Sequence, residues 1–317
     1  MDKRFYKVIS LFIKAVLLIA SFYYIIHKLT TADALASYHS ISFSNETLSQ
    51  LLFCFILMFV NWSLEAVKWK LLIAPYEEIS WMQSLQSIFA GVTISIFTPN
   101  RVGEFTGRIF FLKKADRLIA SLKSIVGSFL QLTITMIAGV VGIWMYIEKG
   151  YNTQTPLYAI FDHQRKFMLL LILCSTFVVA LAMIRLSFFA KLKHQMKEIF
   201  NTKKSELLWV LLLSVIRYMI FTFQYYLLIV ALGVQVELMP ACMLISIVFF
   251  INAVIPSFAL TEIVVRSAVA VYVFNSIEPA QPFLIASASL LLWSINLAIP
   301  ALIGSSFIGK LQFFKSH

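Results

Sequence analysis

Two short stretches set ionisable residues into otherwise apolar sequence. The first, FTPNRVGEFTGRIFFLKK from Phe97 to Lys114, places Arg101, Glu104 and Arg108 after a Thr98-Pro99-Asn100 break. The second, IPSFALTEIVVRS, places Glu262 and Arg266 after Pro256 and Ser257. In both, Glu precedes Arg by four residues, so the pair shares one helix face in the favourable order. Arg101, Glu104 and Arg108 also share a face. Thr98 is a suitable N-cap and Pro99 a suitable first helical residue. A helix opening there, or near Ser257, presents free N–H groups, and nearby arginines add forked donors suited to phosphate. The chemistry this favours is anion binding. The plainer alternative is that each Glu–Arg pair is a neutralised structural pin.

Arg217 stands alone in LLLSVIRYMIFTFQYYLL and needs a partner, with Glu104, Glu262 or a lipid phosphate as candidates. Asn61, Glu65 and Lys68 in NWSLEAVKWKLL read as an interfacial anchor, with Lys68 snorkelling and Trp62 and Trp69 in the aromatic belt. Asn252 and Asn296 read as hydrogen-bonding glue between helices. Gly103 and Gly107 form a G-x-x-x-G spacing suited to close packing. His27, His39, His163, His194 and His317 fall at helix ends or in loops, and no zinc-protease, nucleophile-elbow or P-loop motif occurs. Neither an enzyme nor a bound cofactor or metal is therefore expected. Without an ATP motif, transport would be passive or coupled to ions or protons, with Glu104 or Glu262 as candidate proton carriers.

The elements that must hold these residues are membrane helices. The chain has 317 residues, 60% of them hydrophobic and 13% charged. A soluble domain is nearer a quarter charged. Apolar runs at 8–27, 47–67, 119–146, 167–189, 207–232 and 282–308 are long enough to span a bilayer. The N-terminal run is too long for a signal peptide core, which predicts an uncleaved first helix. Cys54, Cys174 and Cys242 lie in apolar runs and read as packing residues.

Four other runs form two pairs, 82–98 with 101–112 and 239–256 with 258–275. The 101–112 arm reaches only about 18 Å, short of the roughly 30 Å hydrocarbon core. Each pair therefore reads as a re-entrant hairpin, the second less firmly because 258–275 is nearly long enough to cross. The expected fold is all-α: about six full spans plus two re-entrant hairpins in one membrane domain over residues 1–317. Repeat one covers about 47–146 and repeat two about 207–308, in opposite orientation. A basic connector at about 190–206 lies on the cytoplasmic surface.

The formal charge of +11 has a topological reading rather than a nucleic-acid one. With the N-terminus inside, 17 of the 26 basic residues fall in cytoplasmic segments and four outside. Both termini are then expected in the cytoplasm, with the protein in a bacterial inner membrane.

The stretch TPNRVGEFTGRIFFLKK resembles the flippase-like membrane domain of lysylphosphatidylglycerol synthases, found also in stand-alone bacterial and archaeal proteins. The matching positions are Pro99, Arg101, Gly103, Glu104 and Arg108, and KWKLL at 68–72 is similar to the family's Trp-containing helix end. IPSFALTE keeps Pro256 and Glu262 but lacks the family's Gly-rich turn. The resemblance implies handling of membrane lipids with anionic headgroups or of a lipid-linked intermediate, along a path including Arg101, Glu104, Arg108, Arg217, Glu262 and Arg266. A second reading is an accessory subunit that presents lipid to a separate transferase. Aminoacyl-lipid synthesis by this chain alone is not expected, since the sequence as read carries no soluble synthase domain.

Overall fold

The computed structural model describes residues 23, 44–96, 98, 103–149, 203–255, 259–275 and 281–310. The expected spans at 8–27 and 167–189, most of the 190–206 connector, and Pro99, Asn100, Arg101, Pro256 and Ser257 lie outside these residues. Among the described residues every regular element is helical.

The order is α1 (Asn45–Ile73), α2 (Trp81–Ile96), α3 (Gly103–Phe110), α4 (Arg117–Glu148), α5 (Lys204–Ala231), α6 (Leu238–Val254), α7 (Ala259–Phe274), α8 (Pro282–Trp293), a π turn (Ser294–Ala298) and α9 (Ile299–Ser305). Four are long and apolar enough to cross a membrane: α1, α4, α5 and the continuous α8–α9 segment from Pro282 to Ser305. Their outward faces expose large apolar side chains such as Ile137, Trp144, Leu208, Trp209 and Leu302, as lipid contact requires. Helix α5 begins at Lys204, so the end of the expected surface connector is the start of a span.

Local sequence explains the boundaries. Ser44 caps α1 by accepting from the Thr47 N–H at 3.1 Å, and Asp116 caps α4 by accepting from Leu118 and Ile119. Gly233 ends α5 at φ 99°. Its N–H reaches the Val230 carbonyl and the Val234 N–H reaches Ile229, the paired bonds of a Schellman motif. Pro300 cannot donate to the Asn296 carbonyl, and the helix accommodates this with the π turn just before it.

Helices α2 and α3 pack as an antiparallel pair at backbone distance. A Cβ at Gly103 would lie 2.6 Å from the Ile94 carbonyl carbon, and one at Gly91 would lie 2.5 Å from the Glu104 oxygen. Gly107 sits directly on the Gly91 backbone. Helices α6 and α7 also pack together. At 1.5 Å per residue α2 and α6 reach about 25 Å and α3 about 12 Å, each below the hydrocarbon thickness.

The remaining packing is cross-wise. Helix α1 packs on α5, α2 on α9, and α6 on α4. Ser84 Oγ donates to the Ala66 carbonyl at 2.6 Å, tying α2 to α1, and Thr93 Oγ1 donates to Ala301 at 2.7 Å, tying α2 to α9. Gln224 Nε2 donates to the Cys54 carbonyl at 2.7 Å and its Oε1 accepts from Asn296 Nδ2 at 3.0 Å. These bonds satisfy polar groups that lipid could not.

At one end of the first hairpin a single carboxylate organises the turn before α4. Glu77 accepts from the N–H groups of Lys113 (3.0 Å), Lys114 (2.7 Å) and Ala115 (2.9 Å). Partial burial pushes its pKa up, but these bonds and the Lys114 charge outweigh that, leaving it below the ordinary carboxylate value. A lowered folded-state pKa contributes stability above the unfolded pKa of about 4.3 and loses it as pH falls through the folded value. Amide exchange at these three positions, corrected for intrinsic rates, should lose protection in Glu77→Ala at neutral pH. In the unsubstituted protein protection should fall only below the ordinary carboxylate range. Unchanged protection in Glu77→Ala would contradict this account of the turn.

Candidate functional site

The site is built from the middle of the spans. Arg217 lies 13 residues after Lys204, about 20 Å along α5. Its Nε donates to Asn61 Oδ1 at 2.8 Å and to the Asn61 carbonyl at 3.2 Å, and its Nη1 pairs with Glu65. Arg108 Nη2 reaches the other Glu65 oxygen at 2.8 Å, and Lys68 Nζ stands 3.1 Å from Glu65. One carboxylate on α1 thus holds cations from α1, α3 and α5. Glu65 and Arg108 are each 4% exposed and Lys68 1%.

A neutral amide completes the cluster. Gln131 Oε1 accepts from Lys68 Nζ at 3.2 Å and Arg217 Nη1 at 3.4 Å, while its Nε2 donates to the Ser214 carbonyl at 3.2 Å. Gln131 therefore fixes α4 against α5 beside the charges. Arg108 Nη1 donates to Ser124 Oγ at 3.3 Å, and its buried Nε has no partner among the described residues. The Arg217 guanidinium also lies 5.8 Å from the centre of the Trp62 ring.

The expected partners change accordingly. Arg217 is held by Glu65, a partner that the sequence did not suggest. Asn61, Glu65 and Lys68 are not an interfacial anchor: Glu65 is the centre of a buried ionic cluster, and Lys68 is turned inward rather than snorkelling. Lys68 and Lys123 are both buried, so neither is a free loop cation of the kind assumed in the charge count. Thr98 makes a different bond from the expected cap, its Oγ1 accepting from the Gly103 N–H at 2.8 Å.

These groups line a cavity of about 360 Å³. Glu65, Arg108 and Arg217 line it together with Glu104 and Gln131. Arg266 reaches the same cavity from α7, paired with the buried Glu262 one turn earlier. Tyr225, Phe249, Asn252, Trp293 and Asn296 also line it. Asn296 also donates to the Leu292 carbonyl, and the Asn252 Oδ1 has no partner among the described residues. Tyr225 bonds Ser289 across the α5–α8 contact. Glu104, Arg108, Arg217 and Arg266, distant in sequence, therefore meet around one space.

The electrostatics favour an anion. Around Glu65 three cations face one carboxylate. Among the charged residues that line the cavity, Arg108, Arg217 and Arg266 exceed Glu65 and Glu104 by one formal charge, and Lys68 and Glu262, paired with Glu65 and Arg266, cancel each other. An excess charge inside a membrane domain is costly, which makes this cluster a candidate functional site. The volume lies within the range of small-ligand sites.

Glu65 and Gln131 were the residues that sequence reasoning missed. The available signal was the Asn61, Glu65, Lys68 spacing of i, i+4 and i+7, a polar stripe on the same face as buried Cys54 and Met58. Gln131 carries no charge and gave no comparable signal.

No curated protein matches the chain. A family model described as the lysylphosphatidylglycerol synthase TM region matches residues 8–304. With that match over nearly the whole length, the chain is a membrane protein that belongs to the lysylphosphatidylglycerol synthase transmembrane-region family.

Proposed function

We propose that this protein is a lipid translocase, in which the cavity receives the anionic headgroup of a phospholipid or lipid-linked intermediate. One observation carries the reading: a headgroup-sized cavity gathers Glu104 and Arg108 of the first hairpin, Arg266 of the second and Arg217 between them, with a cationic excess. Arginine forks bind phosphate oxygens in pairs, which suits this role better than a point charge. Membership of a family named for a lipid synthase's membrane region agrees with a lipid-related role.

The hairpins are re-entrant in this reading, and α1–α4 and α5–α9 are inverted repeats. The cross-wise packing supports it. Exchanging α1 with α5, α2 with α6, α3 with α7, and α4 with α8–α9 converts the α2–α9 contact into α6–α4 and leaves α1–α5 in place. Broken helices meeting at a central site are the transporter arrangement. The protein sits in a bacterial inner membrane with both termini cytoplasmic, and it moves lipid rather than transforming it.

The test is photo-crosslinking with an anionic phospholipid whose headgroup carries the reactive group. Adducts are expected on peptides from α3, α5 and α7, and competition by unlabelled anionic lipid should exceed that by phosphatidylcholine. Labelling confined to the outer apolar faces would contradict a headgroup site in the cavity.

A further inference from the structure

We infer that Glu65 is the resident counter-ion of the headgroup site, exchanged one for one with the phosphodiester of an entering lipid. This rests on the proposed headgroup cavity and adds how that cavity discriminates and releases its ligand. A carboxylate and a phosphodiester each carry one negative charge and offer two oxygens to an arginine fork. Glu65 already spreads its two oxygens over Arg108 and Arg217, the geometry a phosphodiester would take.

Exchange of a buried ion pair is normally prohibitive because it strands a charge. Here Lys68 removes that obstacle. It sits 3.1 Å from Glu65 on the same helix, three residues on, and follows the carboxylate wherever α3 and α5 move. Arg108 and Arg217 can pass to the phosphate while Glu65 keeps Lys68. Release is the reverse step, with Glu65 reclaiming the arginines. Asn61 holds the Arg217 Nε throughout, so the guanidinium turns about a fixed point. A ligand of higher charge, such as a diphosphate, would not be replaced one for one and would be retained.

The consequence is opposite to that of a structural pin. Glu65→Gln removes the competing anion, so short-chain phosphatidylglycerol should bind the detergent-purified protein roughly tenfold more tightly. Its translocation should saturate at lower lipid concentration and run more slowly, because release lacks its driving anion. Glu65→Asp keeps the charge but withdraws it from the arginines. It should fall between the two and covers the case that Glu65→Gln does not fold, as judged by thermal unfolding and size exclusion. Inorganic phosphate at equal concentration should not displace the lipid, and displacement would overturn the assignment to a lipid headgroup. Weaker or unchanged binding in both folded variants, with selective binding by the unsubstituted protein, would overturn the exchange alone. Equal binding of phosphatidylglycerol and phosphatidylcholine by the unsubstituted protein would overturn the headgroup site as well.

Discussion

Gly107→Val should prevent the first hairpin from closing and abolish both its packing and any activity of the cavity. At Gly107 the space for a side chain is already filled by the backbone of Gly91 and the Ser87 carbonyl. Main-chain atoms within a helix cannot step aside as a flexible side chain would. Overpacking a well-filled interior typically costs about 1–3 kcal/mol and occasionally more. The backbone-on-backbone contact places this substitution at the upper end, about 3 kcal/mol. Displacement of α3 also carries Glu104 and Arg108 away from the cavity. Gly309→Ala is the matched control, since nothing lies within 4 Å of its added carbon. Thermal unfolding in detergent should show a large fall for Gly107→Val and little change for Gly309→Ala. Equal behaviour of the two would contradict the close α2–α3 approach.

Arg217→Met should be the most damaging single loss among the arginines of the cavity. It removes the guanidinium that joins Asn61, Glu65 and Gln131, and with it the charged ties from α5 to α1 and α4. Breaking a buried pair by deleting one partner costs about 3–5 kcal/mol. Lys68 and Arg108 remain on Glu65, so a cost of about 3 kcal/mol is expected, with headgroup binding lost entirely. Arg217→Lys keeps the charge but not the fork, and it cannot hold Asn61 and Glu65 together. It should recover much of the stability and little of the binding. Full binding by Arg217→Lys would show that charge alone suffices.

How much of this was legible in the sequence follows from which physical rule each residue obeys. Apolar runs of bilayer length located four spans within a few residues, because hydrocarbon thickness fixes length regardless of neighbours. Thr98 and Pro99 marked a break, and the short arm after it could not reach across. The Glu104–Arg108 spacing gave no hint of Glu65. The i, i+4 rule describes neighbours on one helix, whereas a buried guanidinium also takes partners from other helices. Glu65 was misplaced because the run at 47–67 put it near a helix end, while α1 continues to Ile73 and makes it interior. The Asn61–Glu65–Lys68 stripe then faces inward rather than toward headgroups. The meeting of Arg108, Arg217 and Arg266 around one cavity depends on packing between helices, and single-sequence periodicity carries no such information.

The proposed passage of anionic headgroups across the bilayer through this cavity is open to direct test. The direct measurement is translocation of fluorescent phosphatidylglycerol and phosphatidylcholine in proteoliposomes, with Arg217→Met as the paired variant. Faster movement of phosphatidylglycerol is expected with the unsubstituted protein, and its loss in Arg217→Met molecules that remain folded. Movement of both lipids at equal rates, or movement that survives in Arg217→Met, would contradict it.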